Sequence, residues 1–469
     1  MSDFVAARMG LHFPRERWGD LERGITAAAR EFDLPDAESC ARRLLSTSPT
    51  QNHTEILASH LTVGETYFFR EKRSFEVLEE HVLPELLRSR RGVERRLRIW
   101  SAGCCTGEEP YSVAMLLDRL IPDPGEWNVT ILATDINPRF LRKAAEGVYG
   151  EWSFRDTPAW IRERYFKKRK DGHFELSPHI RKRVTFSHLN LAIDAYPSLS
   201  NNSNAMDVIF CRNVLMYFTA ERARKVAENL HRSLVDGGWL IVSPTETSIS
   251  LFSPLTATGF PGVVLYRKVE GAARQLAAIG YQSPASQVLF LSEPVAPQAA
   301  RSVEPEETQP VPPEQTAATE SSGAPVQEQH DRDTFARTAR VCANEGRLGE
   351  AVEWCEKAVA TDKLNPAYHY LLATIRQEQG QVDAAAHSLR RALYLDPDFV
   401  LAHFALGNLR LAQSRRRDAG RHFANALALL RARAHDEILP ESEGLTAGRL
   451  EEIITSVLSS LPHAAAARA

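Results

Sequence analysis

Three short stretches put polar and glycine residues where an α/β chain does chemistry. The first is Ser101-Ala102-Gly103-Cys104-Cys105-Thr106-Gly107-Glu108-Glu109-Pro110-Tyr111. Before it, Leu97 to Trp100 reads as a buried strand. After it, Tyr111 to Leu120 has the apolar spacing of a helix, carried by Val113, Ala114, Leu116, Leu117 and Leu120. Strand, small-residue turn, helix is the first unit of a nucleotide-binding sheet. Gly103 and Gly107 let the backbone approach a ligand where a Cβ would obstruct it. The turn lacks GxGxxG, and two glutamates stand where a diphosphate would lie. A cationic ligand, or one without a phosphate, fits better than NAD. The second stretch is Leu132-Ala133-Thr134-Asp135-Ile136, where a predicted strand, Trp127 to Thr134, ends in an acid. An acidic side chain there is placed to accept both ribose hydroxyls of an adenosine. The competing use is as N-cap of a helix beginning near Pro138. The third stretch, Asp207 to Phe218, is a hydrophobic strand that ends in Arg212, Asn213 and, further on, Tyr217. Those residues lie at the carboxyl edge, where open α/β sheets bind ligands.

Other elements must hold these stretches in place. Residues 1–90 read as helical, with apolar faces over Arg15 to Phe32, Asp36 to Leu45, Gln51 to Leu61 and Phe75 to Leu87. Glu221 to Leu234 predicts a helix. Asp236-Gly237-Gly238 then turns into a strand, Trp239 to Ser243, and Val263 to Val269 closes the sheet. Between them, residues 165–188 change texture. Asp171-Gly172 sits between alternating residues, which is a hairpin signal.

The run Trp-Ser-Ala-Gly-Cys-x-Thr-Gly-Glu-Glu-Pro-Tyr-Ser closely resembles the first motif of the chemotaxis-receptor methyltransferases, the CheR-type enzymes. Further motifs follow that pattern. Thr66-Tyr67-Phe68-Phe69-Arg70 resembles the family's Thr-x-Phe-Phe-Arg, whose Thr and Arg contact S-adenosylmethionine (SAM). Asn190-Leu191 matches the Asn-Leu pair beside the adenine. Asp207 to Phe218 is nearly the family signature, with Arg212 and Asn213 resembling SAM contacts and Tyr217 a tyrosine near the methyl-transfer centre. The resemblance implies an α/β fold. It has a Rossmann-like SAM-dependent methyltransferase sheet over 91–270, behind an N-terminal helical domain of 1–90. A small antiparallel β-subdomain is inserted at about 165–188, shortened as in tether-independent members. It implies SAM binding by Thr66, Arg70, Gly103, Glu108, Asp135, Asn190, Leu191, Arg212 and Asn213. Arg70 and Tyr217 are the catalytic residues it implies, and no metal. Arg70 would hold the acceptor carboxylate or the SAM carboxylate, and Tyr217 would align the acceptor. The competing reading of Tyr217 is core packing under the sheet.

The 469 residues are 43% hydrophobic, enough for two or three domains, and the net charge of −3 gives no bias toward nucleic acid. Six cysteines without a CxxC suit a reducing compartment. The N-terminus lacks a signal-peptide layout, and no apolar run approaches a membrane span, so a cytoplasmic protein is expected. Residues 293–330 hold seven prolines, seven glutamates and one arginine. They form the core of an expected disordered linker over 271–330 that leaves the flanking parts to move independently. Beyond it, Ala339, Ala373 and Gly407 recur every 34 residues, as do Ala351, Ala385 and Ala419, and Ala358, Ala392 and Ala426. That period is the tetratricopeptide (TPR) signature, giving a separate all-α domain over 331–435. A capping helix and tail follow over 436–469.

By resemblance, the chain is a protein-glutamate O-methyltransferase acting on the cytoplasmic domain of a methyl-accepting chemotaxis receptor. The domain order resembles methyltransferases of alternative chemosensory systems, including surface-sensing ones that control biofilm formation. A peptide or protein ligand of the TPR domain is expected, and no nucleic acid. Two basic stretches, Arg88 to Arg98 and 162–183, are expected to form a face for an acidic receptor. The competing functions are an inactive SAM-binding TPR scaffold and a small-molecule methyltransferase.

Overall fold

The computed structural model describes residues 1–46, 50–90, 95–253, 255–269, 324–442 and 445–460. The expected linker therefore lies largely outside the described residues. The N-terminal helices are α1 (Ser2–Met9), α2 (Trp18–Glu31), α3 (Ala37–Ser46) and α4 (Gln51–Leu61). Val5, Leu21, Ile25, Leu44 and Leu57 form their own core. The helical domain ends earlier than residue 90. Helices α5 (Lys72–Val77) and α6 (Leu83–Ser89) join the core of the sheet, where Phe75, Leu78 and Leu83 pack with Leu97 and Ile99.

The sheet has seven strands: β1 (Arg96–Ala102), β2 (Asn128–Asp135), β6 (Val184–His188), β7 (Met206–Phe210), β8 (Leu234–Ile241), β9 (Thr256–Phe260) and β10 (Val263–Arg267). Their order is β6-β2-β1-β7-β8-β10-β9, with β10 antiparallel to both of its neighbours. Every residue of β1 is buried, as expected for a parallel strand covered on both faces. Helices α7 (Glu108–Leu120), α8 (Pro138–Glu146), α9 (Ala159–Tyr165), α10 (Pro178–Arg181) and α11 (Ala220–Ser233) complete this part. Strand order reverses between β1 and β7, which marks the crevice outside their carboxyl ends as the ligand site.

The β-subdomain is a second sheet, ordered β3-β5-β4, built from β3 (Val148–Tyr149), β4 (Phe166–Lys168) and β5 (Phe174–Leu176). Val184-Thr185-Phe186 does not belong to it. Those residues lie in β6, which pairs in parallel with β2 from Ile131 to Asp135 and extends the main sheet.

The C-terminal part is a stack of paired helices: α12 (Ala324–Asn344) with α13 (Leu348–Thr361), α14 (Pro366–Glu378) with α15 (Val382–Leu395), and α16 (Val400–Ala412) with α17 (Arg416–Leu430). Helix α18 (Ala447–Ser460) packs on α17. Helix α12 begins inside the stretch read as linker. The recurring alanines are the helix contacts: Ala339, Ala351, Ala358, Ala385, Ala392, Ala419 and Ala426 are fully buried.

This stack does not sit apart from the sheet. Its inter-helix turns dock on the amino ends of the strands. Arg96, at the start of β1, pairs with Glu378 at 3.6 Å, and both side chains are almost fully buried. Asn128, at the start of β2, donates its amide to the Glu378 carbonyl at 2.9 Å. Leu199 completes the core of the first repeat. The contact is made by groups of the folded parts, polar and apolar, so linker composition carried no sign of it. Among the described residues, no helix is long and apolar enough to cross a membrane.

Candidate active site

A cavity of about 450 Å³ opens at the carboxyl ends of β1, β2 and β7, within the roughly 300–1,000 Å³ usual for a cofactor pocket. One wall is the turn Gly103-Cys104-Cys105 after β1. Gly103 has φ +85°, and a Cβ there would stand 2.4 Å from Val214 Cγ2 on the opposite wall. Asp135 and Ile136 end β2, Asn190-Leu191 follows β6, and Arg212 to Val214 with Met216 to Phe218 follow β7. The N-terminal part covers the mouth with Met9, Leu11, Thr66 and Arg70.

Asp135 is buried, and both its oxygens accept backbone N–H groups, from Cys105 and Asn137, each at 2.8 Å. Burial pushes its pKa up to about 6 against the pull of those donors. The helix-capping role belongs to a neighbour. Asn137 caps α8, accepting from the Arg139 and Phe140 amides. Asp135 keeps further lone pairs for hydroxyl donors.

The two glutamates of the turn separate. Glu109 lines the cavity, accepts the Ser101 hydroxyl at 2.6 Å and pairs with Arg212 at 2.8 Å. Glu108, the expected ligand, does not line it. Its carboxylate takes hydrogen bonds from Thr106 (2.6 Å) and Ser153 (3.0 Å), and it borders a separate cavity with Lys143 and His173. Successive residues on a helix point about 100° apart, so only one can face the ligand. Here Glu109 is the one that lines the larger cavity and Glu108 the one turned from it.

Arg212 is buried and spoken for. Besides Glu109, it donates to the Arg70 carbonyl at 2.8 Å. It therefore fixes the wall that carries Arg70 and Glu109. Asn190 is likewise committed: its amide donates to the Arg8 carbonyl and accepts from the Ala192 amide. Arg70 is half-buried and its guanidinium touches the Glu65 carbonyl. Tyr217 stands on the cavity wall and packs against the N-terminal core, not under the sheet.

One residue went unnoticed in the sequence. Glu246 is buried behind the loop that follows β7. Its carboxylate accepts the amides of Asn213 (2.6 Å), Val214 (2.8 Å) and Met216 (3.2 Å), plus the Ser243 hydroxyl (2.7 Å). Asn213 is held at φ +56°, a conformation disfavoured for a residue with a side chain. Pro244-Thr245-Glu246-Thr247 carries no motif that announces this.

Residues 64–253 match the model of the CheR methyltransferase, SAM binding domain, and residues 374–414 match a TPR repeat. A probable biofilm formation methyltransferase, WspC, of Pseudomonas putida is 30% identical over 89% of this chain and 97% of its own. The chain belongs to the CheR methyltransferase family. The Pseudomonas aeruginosa WspC is 31% identical, covering 86% of this chain and 92% of its own. Chemotaxis protein methyltransferase 1 of the same organism is 40% identical over 41% of this chain and 69% of its own. The CheR domain binds SAM, and the cavity suits it. A buried carboxylate, Asp135, and a guanidinium, Arg70, both line the cavity.

The expected basic docking face is halved by the structure. Arg96 and Arg98 are buried. Arg98 bonds the Asn202 side chain and the Asn202 and Asn204 carbonyls, and Arg90 pairs with Asp207. These side chains serve the base of the sheet. Lys167, Lys168, Arg169 and Lys170, at the tip of the β-subdomain, do stay exposed.

Proposed function

We propose that this CheR-family methyltransferase methylates glutamate side chains on the cytoplasmic domain of a methyl-accepting receptor, inside a cytoplasmic signalling pathway that bears on biofilm formation. The observation that supports it best is one cavity holding Asp135 and Glu109 deep at the strand ends, with Arg70 and Tyr217 on its walls. SAM supplies an electrophilic methyl group. A carboxylate acceptor is already ionised at neutral pH, so the chain needs no strong base. What the residues must do is orient and desolvate. Arg70 binds a carboxylate through a two-point hydrogen bond. Tyr217 donates a hydrogen bond that aligns the acceptor, and Glu246 keeps the loop bearing Tyr217 in place. The exposed lysines of the β-subdomain support an acidic substrate, and the biofilm-related names of the long relatives support the pathway.

The assay is incubation of the full chain with tritiated SAM and a purified receptor cytoplasmic fragment, then alkaline release of methanol. Base-labile label on the receptor is expected. A chain that binds SAM yet releases no methanol with any receptor fragment is a scaffold, and label stable to base means another acceptor.

A further inference from the structure

The TPR stack carries its own occupant. Between α17 and α18 the chain leaves the helical pattern. Of its described residues, Leu439 is 2% exposed, whereas the adjoining Ile438 is 63% exposed. Leu439 borders a small cavity formed by Pro366 and Ala367 at the start of α14 and by Val400 and Leu401 at the start of α16. Two residues on, Glu441 pairs with Arg340 of α12, 101 positions earlier in the chain. One short segment thus crosses the first helix of all three repeats. Glu441 does so at φ +63°, a left-handed backbone that a glutamate disfavours. Besides the Leu439 anchor and the ion pair, the segment is held by backbone bonds from Leu439 N to the Leu445 carbonyl and from Ser442 N to the Leu439 carbonyl, and by a bridge between Ile438 and Thr446.

Repeat stacks bind extended segments on the surface that crosses their repeats. We propose that Leu439-Pro440-Glu441 is a built-in ligand of this surface. In its place the surface takes a partner peptide of the same chemistry, an apolar residue followed two positions later by a carboxylate. Arg340 is the anchor for that carboxylate. Asp396, Asp398 and Arg433 ring the apolar end. A free peptide escapes the left-handed strain at Glu441. Against this, the tethered segment has the advantage of a high effective concentration. The surface therefore opens to a partner only when the tethered segment lets go.

The test uses the full chain and a fluorescein-labelled peptide, Glu-Ile-Leu-Pro-Glu-Ser, read by fluorescence anisotropy. Glu441→Gln removes the ion pair from the tethered segment and is expected to tighten peptide binding about tenfold or more over the unaltered chain. Adding Arg340→Ala to it abolishes that gain, and a peptide with Gln for its second Glu shows none. Leu439→Ala, checked for folding by circular dichroism, is the second opening variant and gives the same gain. If both opening variants fold and bind the peptide no better than the unaltered chain, the segment is a structural cap and the proposal is wrong. Binding that survives loss of Arg340 overturns it equally.

Discussion

The two ends of the central sheet bury charge to opposite effect. At the carboxyl ends, Asp135 and Glu109 face a cavity and keep acceptor capacity for a ligand. At the amino ends, Arg96 and Glu378 face each other across the contact between the sheet and the helical stack. The first arrangement leaves Asp135 with lone pairs to spare, its charged form disfavoured by burial. The second sets its two charges against each other at 3.6 Å across the contact between two parts of the chain. A buried charge at a strand end is therefore not a sign of a site. What distinguishes the two is whether the charge borders a cavity.

Breaking the base should give the largest effect. Arg96→Ala leaves Glu378 buried without its cation, which costs on the order of 3–5 kcal/mol. The helical stack should come away from the sheet, read as a larger radius of gyration by small-angle scattering. SAM affinity should stay near its unaltered value, because the cavity is at the other end. Replacing both partners by methionine should restore the compact form. A compact Arg96→Ala protein would show that the Asn128 hydrogen bond and the apolar contact around Leu199 carry the docking without the ion pair.

Asp135→Ala is next. Loss of the charged acceptor should remove about 1–3 kcal/mol of binding, a drop of roughly tenfold or more in SAM affinity. Unchanged affinity by calorimetry would remove Asp135 from the ribose site. Glu246→Gln should act more gently on binding and more on turnover. The amide keeps one oxygen acceptor but turns N–H against a backbone N–H in the loop bearing Tyr217. A several-fold lower kcat with nearly unchanged SAM affinity is expected. If affinity falls as much as turnover, the loop serves the cofactor and not the acceptor.

How legible these regions were follows from how far each residue's partners lie along the chain. The turn from Ser101 to Tyr111 declares itself because strand, glycines and helix are contiguous. Which glutamate faces the cavity was not legible, since that depends on the helical phase set after Gly107. The Ser101 and Arg212 partners of Glu109 say so only in three dimensions. Arg98 looked like surface charge because its partners, Asn202 and Asn204, lie over a hundred residues away. Val184 to Phe186 read as a hairpin strand for the same reason: strands of either sheet look alike locally, and its partner β2 lies some 50 residues earlier. A Rossmann-like sheet was legible by resemblance, whereas the docked base was not, because nothing in the repeats marks the turn after Glu378 as a contact.

A further effect separates the two ends by pH. In the ligand-free chain Asp135 titrates at about 6, above its ordinary 3.8, because burial disfavours its charge. A raised folded pKa means that protonation stabilises the fold. The stability it adds is full below the ordinary value and is lost as pH rises through 6, so acid does not unfold the site through this group. Ligand hydroxyls donate to the charged form and lower its pKa in the complex. Binding therefore expels a proton below pH 6, and SAM affinity should fall by roughly tenfold between pH 7 and pH 5. Above about pH 7 it should be flat. Asp135→Asn cannot titrate, so its weaker affinity should show no such slope over the same range. The docked base has no part in this, and the Arg96→Ala protein should follow the unaltered pH curve. A slope that persists in Asp135→Asn would move the titrating group elsewhere in the cavity.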